Sequence, residues 1–291
     1  MKRLFVLSAV AVLYCAACHN GSGHRPGGDD ATDSTTAPAG LKFGVALWTF
    51  HNVDFPRSLD EVDSAGLKYI EPNTFSNAGP AFGDSSIGQL SPDGIAKIKS
   101  MIAARGLICE SLYVVGDSTL ASWERQFDVA RELGVRFVTT EPPLGMWDSI
   151  DSLAGAYGLK VAIHDHWKGF SHYWDPDTTL MAMKGHPNFF VCADLGHWPK
   201  SGVNPEEAVK KLSGRILAVH FKDIAAYNNT SLKDVVAGTG VVNFPGILAV
   251  LKKQQLPCNI YIERDSIEPG GNVPSVIREK NYYDSLMRQL P

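Results

Sequence analysis

The sequence lacks a strong excess of charge of either sign. Its 291 residues include 27 Lys and Arg against 31 Asp and Glu, which gives a formal net charge of -4. Proteins that bind nucleic acid or anionic membranes through their overall charge carry a marked basic excess, so this balance supports neither class. With 44% hydrophobic residues, the chain has the composition of an ordinary globular protein.

Cysteine is also scarce. The chain has five cysteines, and two of them, Cys15 and Cys18, belong to the N-terminal apolar segment. The other three, Cys109, Cys192 and Cys258, lie in or beside apolar runs, and their odd number argues against a disulfide framework. We therefore expect free thiols, buried in the core, at these three positions.

A long apolar run is found only at the N-terminus, where residues 4–17 follow the basic Lys2 and Arg3. This run is short for a bilayer span and is typical of a secretory signal. Because LYCAACHN places Cys18 after two alanines, as in a bacterial lipobox, we predict a lipoprotein-type signal peptide at residues 1–18. A lipid on Cys18 would anchor an exported protein to the cell envelope, whereas ordinary signal cleavage would give a periplasmic product.

Residues 19–40 contain almost nothing that a core could bury. They are rich in Gly, Ser, Thr, Asp and Pro, a composition typical of a flexible linker. We predict that one catalytic domain, residues 41–291, follows this linker.

No glycine-rich phosphate turn follows the first apolar run of that domain, which disfavours a doubly wound open sheet. The domain instead repeats one unit eight times: a short apolar run, a polar tip and an amphipathic stretch. This pattern predicts an α/β fold with a single (β/α)8 TIM barrel. The runs cover residues 42–50, 67–72, 107–114, 135–143, 159–167, 188–198, 215–223 and 259–265.

Ionisable side chains occur at the ends of the last four runs, and the active sites of such barrels lie at the carboxyl ends of the strands. Because side chains alternate along a strand, each of these groups should face the barrel interior with the apolar residue two positions earlier. Two imidazoles and two carboxylates that converge there suit one divalent metal ion such as Mn, Co, Zn or Mg. The candidates for these ligands are His164 or His166, Asp194, His220 and Glu263.

Three motifs at these strand ends carry a resemblance to a known family. Together with their order and spacing, they make residues 42–290 similar to the xylose isomerase-like TIM barrels of the sugar phosphate isomerase/epimerase superfamily. The motifs are ADLGH (193–197), VHFKD (219–223) and YIERD (261–265).

The resemblance implies a metal held by Glu on the fifth strand, Asp on the sixth, His on the seventh and Glu on the eighth. Asp194, His220 and Glu263 match the last three positions. The first position departs from the family, because AIHDH (162–166) places His164 where the family has Glu. Imidazole is still a metal ligand, but it changes the charge and basicity of the site.

The same resemblance implies sugar isomerase or epimerase chemistry. A divalent cation would chelate a carbonyl and the adjacent hydroxyl, acidify the C–H between them and stabilise the resulting enediolate. If that enediolate expelled a β-leaving group, the enzyme would instead be a 3-keto-glycoside lyase or hydratase, which we keep as the alternative. The candidates for the base that removes the proton are Glu263, His166, Glu141 and Lys222.

Five further residues near strand ends are predicted to contact substrate. Sugar C–H faces stack on indole rings, which favours the two tryptophans among them, although both could simply pack in the core. The two glutamates could instead form salt bridges at the rim. The five residues are Trp48, Glu71, Glu110, His197 and Trp198.

The export signal, and the lack of a phosphate nest or arginine cluster, favour a non-phosphorylated sugar or glycoside as substrate.

Proteins of two other classes fit parts of the pattern. A TIM-barrel apurinic endonuclease uses several metals and grips DNA, but the export signal, the net acidity and the small number of further ligands argue against it. We therefore expect a small-molecule partner and no nucleic acid. An envelope sugar-binding protein that has lost catalysis would explain the missing fifth-strand Glu. Contact with a membrane is expected only through the lipid on Cys18.

Overall fold

The structure, a computed structural model, describes residues 40–290. The predicted signal peptide, the Cys18 anchor and linker residues 19–39 lie outside the described residues. The strands are β1 (Leu41–Ala46), β2 (Tyr69–Glu71), β3 (Ile108–Cys109), β4 (Ser111–Tyr113), β5 (Phe137–Thr140), β6 (Lys160–His164), β7 (Phe189–Asp194), β8 (Ile216–Phe221), β9 (Asp223–Ile224), β10 (Asp234–Val235) and β11 (Cys258–Ile262). The helices are α1 (Phe55–Ala65), α2 (Pro92–Ala104), α3 (Leu120–Leu133), α4 (Trp147–Tyr157), α5 (Pro176–Met183), α6 (His197–Lys200), α7 (Pro205–Leu212), α8 (Phe244–Lys253) and α9 (Val273–Gln289).

The main sheet is a closed parallel barrel. Its strand order is β3-β2-β1-β11-β8-β7-β6-β5-β4, and every pairing between neighbours is parallel. Because only Glu110 separates β3 from β4, these are two halves of one interrupted strand, and the order returns to its start. The barrel thus has the eight strands of the predicted (β/α)8 fold, with β6, β7, β8 and β11 as its fifth to eighth strands.

Glycine ends several of the helices that the sequence pattern predicts. Gly134 follows α3 with a φ of 80°, and Gly158 follows α4 with a φ of 67°. These left-handed conformations carry no steric cost for glycine, and each lets the chain turn from the helix into the next strand.

Apolar side chains form two layers because they alternate along the strands. Val161 and Ile163 of β6 belong to the large core that also contains helix residues such as Phe127, whereas Ala162 belongs to a small apolar cluster inside the barrel. Cys192 of β7 lies in the same inner cluster. The residue that follows the inner-cluster position by two on each strand must therefore face the interior as well.

The three cysteines of the domain are free, as predicted. Cys192 and Cys258 are buried and Cys109 is half-buried. Strands β9 and β10 form a separate antiparallel ribbon in the connection between β8 and α8. Within residues 40–290, no helix combines the length and the apolar character that crossing a membrane requires.

Candidate active site and metal centre

Strand alternation brings the four predicted metal ligands together at the carboxyl end of the barrel. Each follows an inner-cluster residue by two positions, on β6, β7, β8 and just after β11. One ligand atom from each side chain lies within 4.8 Å of the ligand atoms of the other three, and all four side chains are buried. They are His164, Asp194, His220 and Glu263.

His220 is held by the carboxylate of Glu71, which contacts the ring nitrogen that does not face the other three ligands. Its Nε2 lies 2.8 Å from Oε1 of Glu71, and the other oxygen of Glu71 accepts a 2.7 Å hydrogen bond from Thr139. An Nε2–H that donates to Glu71 fixes the tautomer and leaves Nδ1 as the nitrogen that faces the other three ligands. Glu71, predicted to contact substrate, lines the cavity described below, but one of its oxygens is bonded to His220 and the other to Thr139.

The ligand atoms face one another across a small gap. Nδ1 of His220 lies 3.0 Å from Nε2 of His164 and 2.7 Å from Oε2 of Glu263. Oδ2 of Asp194 lies 3.6 Å from the same His164 nitrogen. The two carboxylate oxygens are buried, and in the described part of the chain they face charged groups of the same cluster, including the ammonium of Lys222. Buried oxygens of this kind, with two imidazole nitrogens, form a donor set that could hold a divalent cation.

The two imidazoles of this set have perturbed pKa values. Burial lowers the pKa of His164, but its contacts with Asp194 and Glu141 outweigh burial and raise the pKa to about 9. Burial also lowers the pKa of His220, but the negative charge of Glu263 outweighs burial and holds that pKa well above its ordinary value. A cation that binds these rings must therefore displace protons from them.

Lys222 lies beside the four candidate metal ligands and forms ion pairs with carboxylates. Its Nζ is 3.0 Å from Oδ2 of Asp194, 3.1 Å from Oε2 of Glu263 and 3.0 Å from Oδ1 of Asp265. Burial opposes the charged form, but these carboxylates hold the pKa of Lys222 well above its ordinary range. An ammonium held protonated in this way cannot remove a proton from substrate, which argues against Lys222 as the base.

His166 is oriented by a carboxylate from the neighbouring strand end. Its Nδ1 hydrogen-bonds to Oε1 of Glu141, whose other oxygen accepts from the hydroxyl of Ser171. Burial raises the pKa of Glu141, but His164 and His166 outweigh it and lower the pKa to about 2. Burial lowers the pKa of His166 below its ordinary value. A neutral imidazole next to an ionised carboxylate is the arrangement of a general base and the group that orients it.

A cavity of about 810 Å³ opens above these residues, and both His166 and Glu263 line it. His197, which also lines it, stacks on His166 at 4.8 Å and lies 3.2 Å from Nζ of Lys222. Trp48 donates a 3.3 Å hydrogen bond to Asp265. Trp48 and His197 thus lie where the sequence predicted substrate contacts. The aromatic side chains of the wall are Trp48, Phe75, Tyr113, Trp123, Trp167 and Phe170.

Two predicted substrate residues are not at this cavity. Glu110 lies at the opposite end of the barrel, where it pairs with Lys42 at 2.5 Å and with Arg136 at 3.0 Å. The prediction placed it at the rim because it read Glu110 as the end of a strand, but the strand resumes and ends at Tyr113. Trp198 is fully buried in the outer apolar core, because α6 turns its side chain away from the cavity.

Four residues near the site were not among the predicted ones. Tyr113 replaces Glu110 at the third strand end, with its hydroxyl 3.5 Å from Nδ1 of His164. Asp165 accepts a 2.9 Å hydrogen bond from the backbone of Asp194, and burial, with the charge of Asp194, raises its pKa well above its ordinary value. Asp265 and Lys200 line the cavity. Asp265 lies in YIERD, so its strand-end position was the available signal.

Comparisons with known proteins agree with this architecture. The sequence profile of the xylose isomerase-like TIM barrel family matches residues 59–286. The crystal structure of an uncharacterised protein from Parabacteroides distasonis is 31% identical, with a TM-score of 0.66 over 86% of this chain and 98% of that chain. The structure of a D-tagatose 3-epimerase-like protein is 17% identical, with a TM-score of 0.69 over 86% of this chain and 98% of that chain, and shows the shared fold alone.

An inosose dehydratase from Clostridium beijerinckii is 26% identical over 132 residues, which are 40% of this chain and 44% of that protein. The matched region of this chain thus spans less than half the length of that curated relative. That relative is a dehydratase, so an enzyme agrees with the match. The profile match covers most of the barrel, and the chain belongs to the xylose isomerase-like TIM barrel family.

Proposed function

We propose that this protein is a divalent-metal-dependent enzyme that removes a proton next to the carbonyl of a non-phosphorylated sugar, with His166 as the base. The observation that carries the proposal is the pair formed by His166 and Glu141 at the cavity wall. Among the four predicted bases, His166 is the imidazole. Its pKa is lowered by burial, and its Nε2 has no partner within residues 40–290. We infer that elimination of a β-leaving group, a lyase or dehydratase reaction, completes the cycle.

The metal would be held by His164, Asp194, His220 and Glu263, the buried set described above. When bound, a cation such as Mn, Co, Zn or Mg supplies a Lewis acid that polarises the substrate carbonyl and neutralises the charge that develops on it. The remaining steps belong to the residues of the chain.

His166 can perform both proton transfers of an elimination. Glu141 holds Nδ1–H of His166, so the lone pair of Nε2 is available to take the proton from the carbon next to the carbonyl. The imidazolium that forms is stabilised by the ionised Glu141. It returns the proton to the β-oxygen as the C–O bond breaks, which releases water or an alcohol and leaves an unsaturated ketone.

Epimerisation or isomerisation, the reaction that the sequence favoured, is the second candidate. Epimerisation needs a proton donor on the face opposite the base, and Glu263 is the carboxylate of the metal set that also lines the cavity. Burial opposes ionisation of Glu263, but His220 and Lys222 lower its pKa to about 2. So strong an acid is rarely protonated near neutral pH, and for this reason we place elimination first.

Two features of the cavity support a non-phosphorylated sugar or glycoside over a sugar phosphate. Its lining contains no arginine within the described part of the chain. Its wall is aromatic, and Trp48 and Phe75, which approach each other edge-on at 5.8 Å, offer faces on which a sugar can stack.

The reaction class can be tested by product analysis. The Mn- or Co-loaded protein would be incubated with an inosose, with a methyl 3-keto-glucoside and with D-fructose, and the products followed by ultraviolet absorption and NMR. An unsaturated ketone with release of water or methanol is the expected result. A changed configuration or an aldose product without such release would favour the second candidate. Tight binding without turnover in any metal would favour a sugar-binding protein.

A further inference from the structure

Two buried lysines line the cavity, and they differ in their partners. Lys222 pairs with three carboxylates at 3.0–3.1 Å. Lys200, at the end of α6, is 5% exposed, yet its Nζ forms no hydrogen bond or ion pair with any residue in the range 40–290. Its Nζ lies over the ring of Trp167, 4.6 Å from the ring centroid.

An ammonium group in this position keeps some contact with solvent but loses most of its hydration, and no carboxylate of residues 40–290 pairs with it. A buried charge is normally paired or hydrogen-bonded, and contact with an aromatic face compensates only part of the lost hydration. Burial accordingly lowers the pKa of Lys200, against the partial opposition of the charge of Asp265. A group that enters the cavity with a negative charge would supply the missing partner.

The charge of Lys200, unpaired within residues 40–290, lies near the proposed catalytic residues. The Trp167 ring on which it rests lies 5.2 Å from the ring of His197 and 5.8 Å from that of His166. The exposed Lys233 lines the same cavity. A substrate whose reacting carbon lies at His166 would therefore present a nearby substituent to Lys200.

We propose that Lys200 is a specificity-determining residue that binds a carboxylate of the substrate, so that the enzyme acts on acidic sugars or glycosides. This inference rests on the proposed function, since it concerns the substrate of the same site. A carboxylate suits the site better than a phosphate, because a phosphate dianion is usually met by arginines or several backbone N–H groups, and the described lining has no arginine.

The test is a comparison of affinities for matched ligands. Calorimetry with the metal-loaded protein would measure binding of D-fructuronate, D-fructose and D-fructose 6-phosphate, which differ at the terminal carbon. The variants are Lys200→Met, which keeps the apolar stem over Trp167, and Lys200→Arg, which keeps the charge. Lys168→Met is the control, because Lys168 also lies over an indole, that of Trp174 at 4.9 Å, but is exposed and does not line the cavity.

The wild-type protein is expected to bind the uronate about 10-fold or more tightly than D-fructose, the gain typical of one charge-assisted hydrogen bond. Lys200→Met should bring the ratio close to one, whereas Lys200→Arg and Lys168→Met should retain a preference for the acid. The inference is overturned by undetectable binding of the uronate, by equal binding of the uronate and D-fructose, or by a preference that survives in Lys200→Met. Tighter binding of the phosphate than of the uronate would also overturn it. Because affinity is measured and not turnover, Lys200-dependent binding without any reaction would support this inference and count against the proposed function.

Discussion

Nε2 of His164 and Nδ1 of His220 lie 3.0 Å apart in the buried floor of the cavity. The other nitrogen of His220 is engaged by Glu71, and the facing Nδ1 also lies 2.7 Å from Oε2 of Glu263, so a cation that binds between the rings replaces protons held there. Asp194 and Glu263 complete the set with buried oxygens that also pair with the ammonium of Lys222. The resemblance of the sequence to its family implies a glutamate where this chain has His164, and an imidazole there places the two ring nitrogens face to face.

Removal of a ligand tests the metal centre directly. His220→Ala should lose the metal, because it removes a donor and leaves Glu71 as an unpaired buried carboxylate. His164→Glu should retain the metal but shift its preference from Zn or Co toward Mn or Mg, since a carboxylate is the harder ligand. Metal content after chelation and refeeding, measured by elemental analysis, checks both outcomes. Unchanged metal in His220→Ala would refute the ligand assignment.

The affinity for the metal should depend on pH with a definite sign. The pKa of His164 is raised to about 9, so at neutral pH this ring carries a proton that a cation must displace. Affinity should therefore rise as pH increases from 6 toward 9, and binding should release protons. Calorimetry in buffers of different ionisation enthalpy measures that release. A binding constant independent of pH across this window would contradict the prediction.

Glu71 and Glu110 provide a matched pair of glutamates at opposite ends of the barrel. Glu71→Gln should weaken metal binding by about 10- to 100-fold, because an amide holds the His220 tautomer less firmly than a carboxylate. Glu110→Gln removes ion pairs with Lys42 and Arg136 and should lower thermal stability with metal affinity unchanged. Titration calorimetry and thermal denaturation of both variants separate the effects. Equal loss of metal affinity in the two would contradict the placement of Glu71 behind His220.

Glu141 should act on the reaction through His166. Glu141→Gln should lower kcat by about 10²- to 10⁴-fold, the range for loss of general base catalysis. The base must be neutral, so activity is lost as pH falls through the pKa of His166. Without the carboxylate charge that pKa falls further, and the acid limb of the kcat profile should move to lower pH. A limb that stays in place would mean that Glu141 does not set the protonation of His166.

Much of this site followed from the period-two alternation of strands. His164, Asp194, His220 and Glu263 could be assigned to one interior face because each follows an inward apolar residue by two positions. The sequence also argues against Glu110 as a strand end, because the apolar run 107–114 continues past it to Tyr113, where the strand ends.

Contacts beyond the strands were less accessible to the sequence. Trp198 follows the end of β7, where alternation no longer fixes the direction of a side chain, and α6 directs it into the core. The contact between Glu141 and Ser171 joins positions 30 residues apart across two loops. No local pattern encodes such a contact, so the orientation of the candidate base required the structure.

The most direct test of the central claim is incorporation of solvent deuterium by the wild-type protein and by His166→Asn. Metal-loaded protein would be incubated in deuterated water with D-fructuronate, D-fructose, an inosose and a methyl 3-keto-glucoside, and exchange at the carbon next to the carbonyl followed by NMR. The wild-type protein should incorporate deuterium there in at least one of these ketones, and the matched variant His166→Asn is the control for the role of His166. This variant, with its metal content intact, should lose at least about 10²-fold of that rate. Undiminished exchange in His166→Asn, or no exchange by the wild-type protein with any of them, would contradict the account.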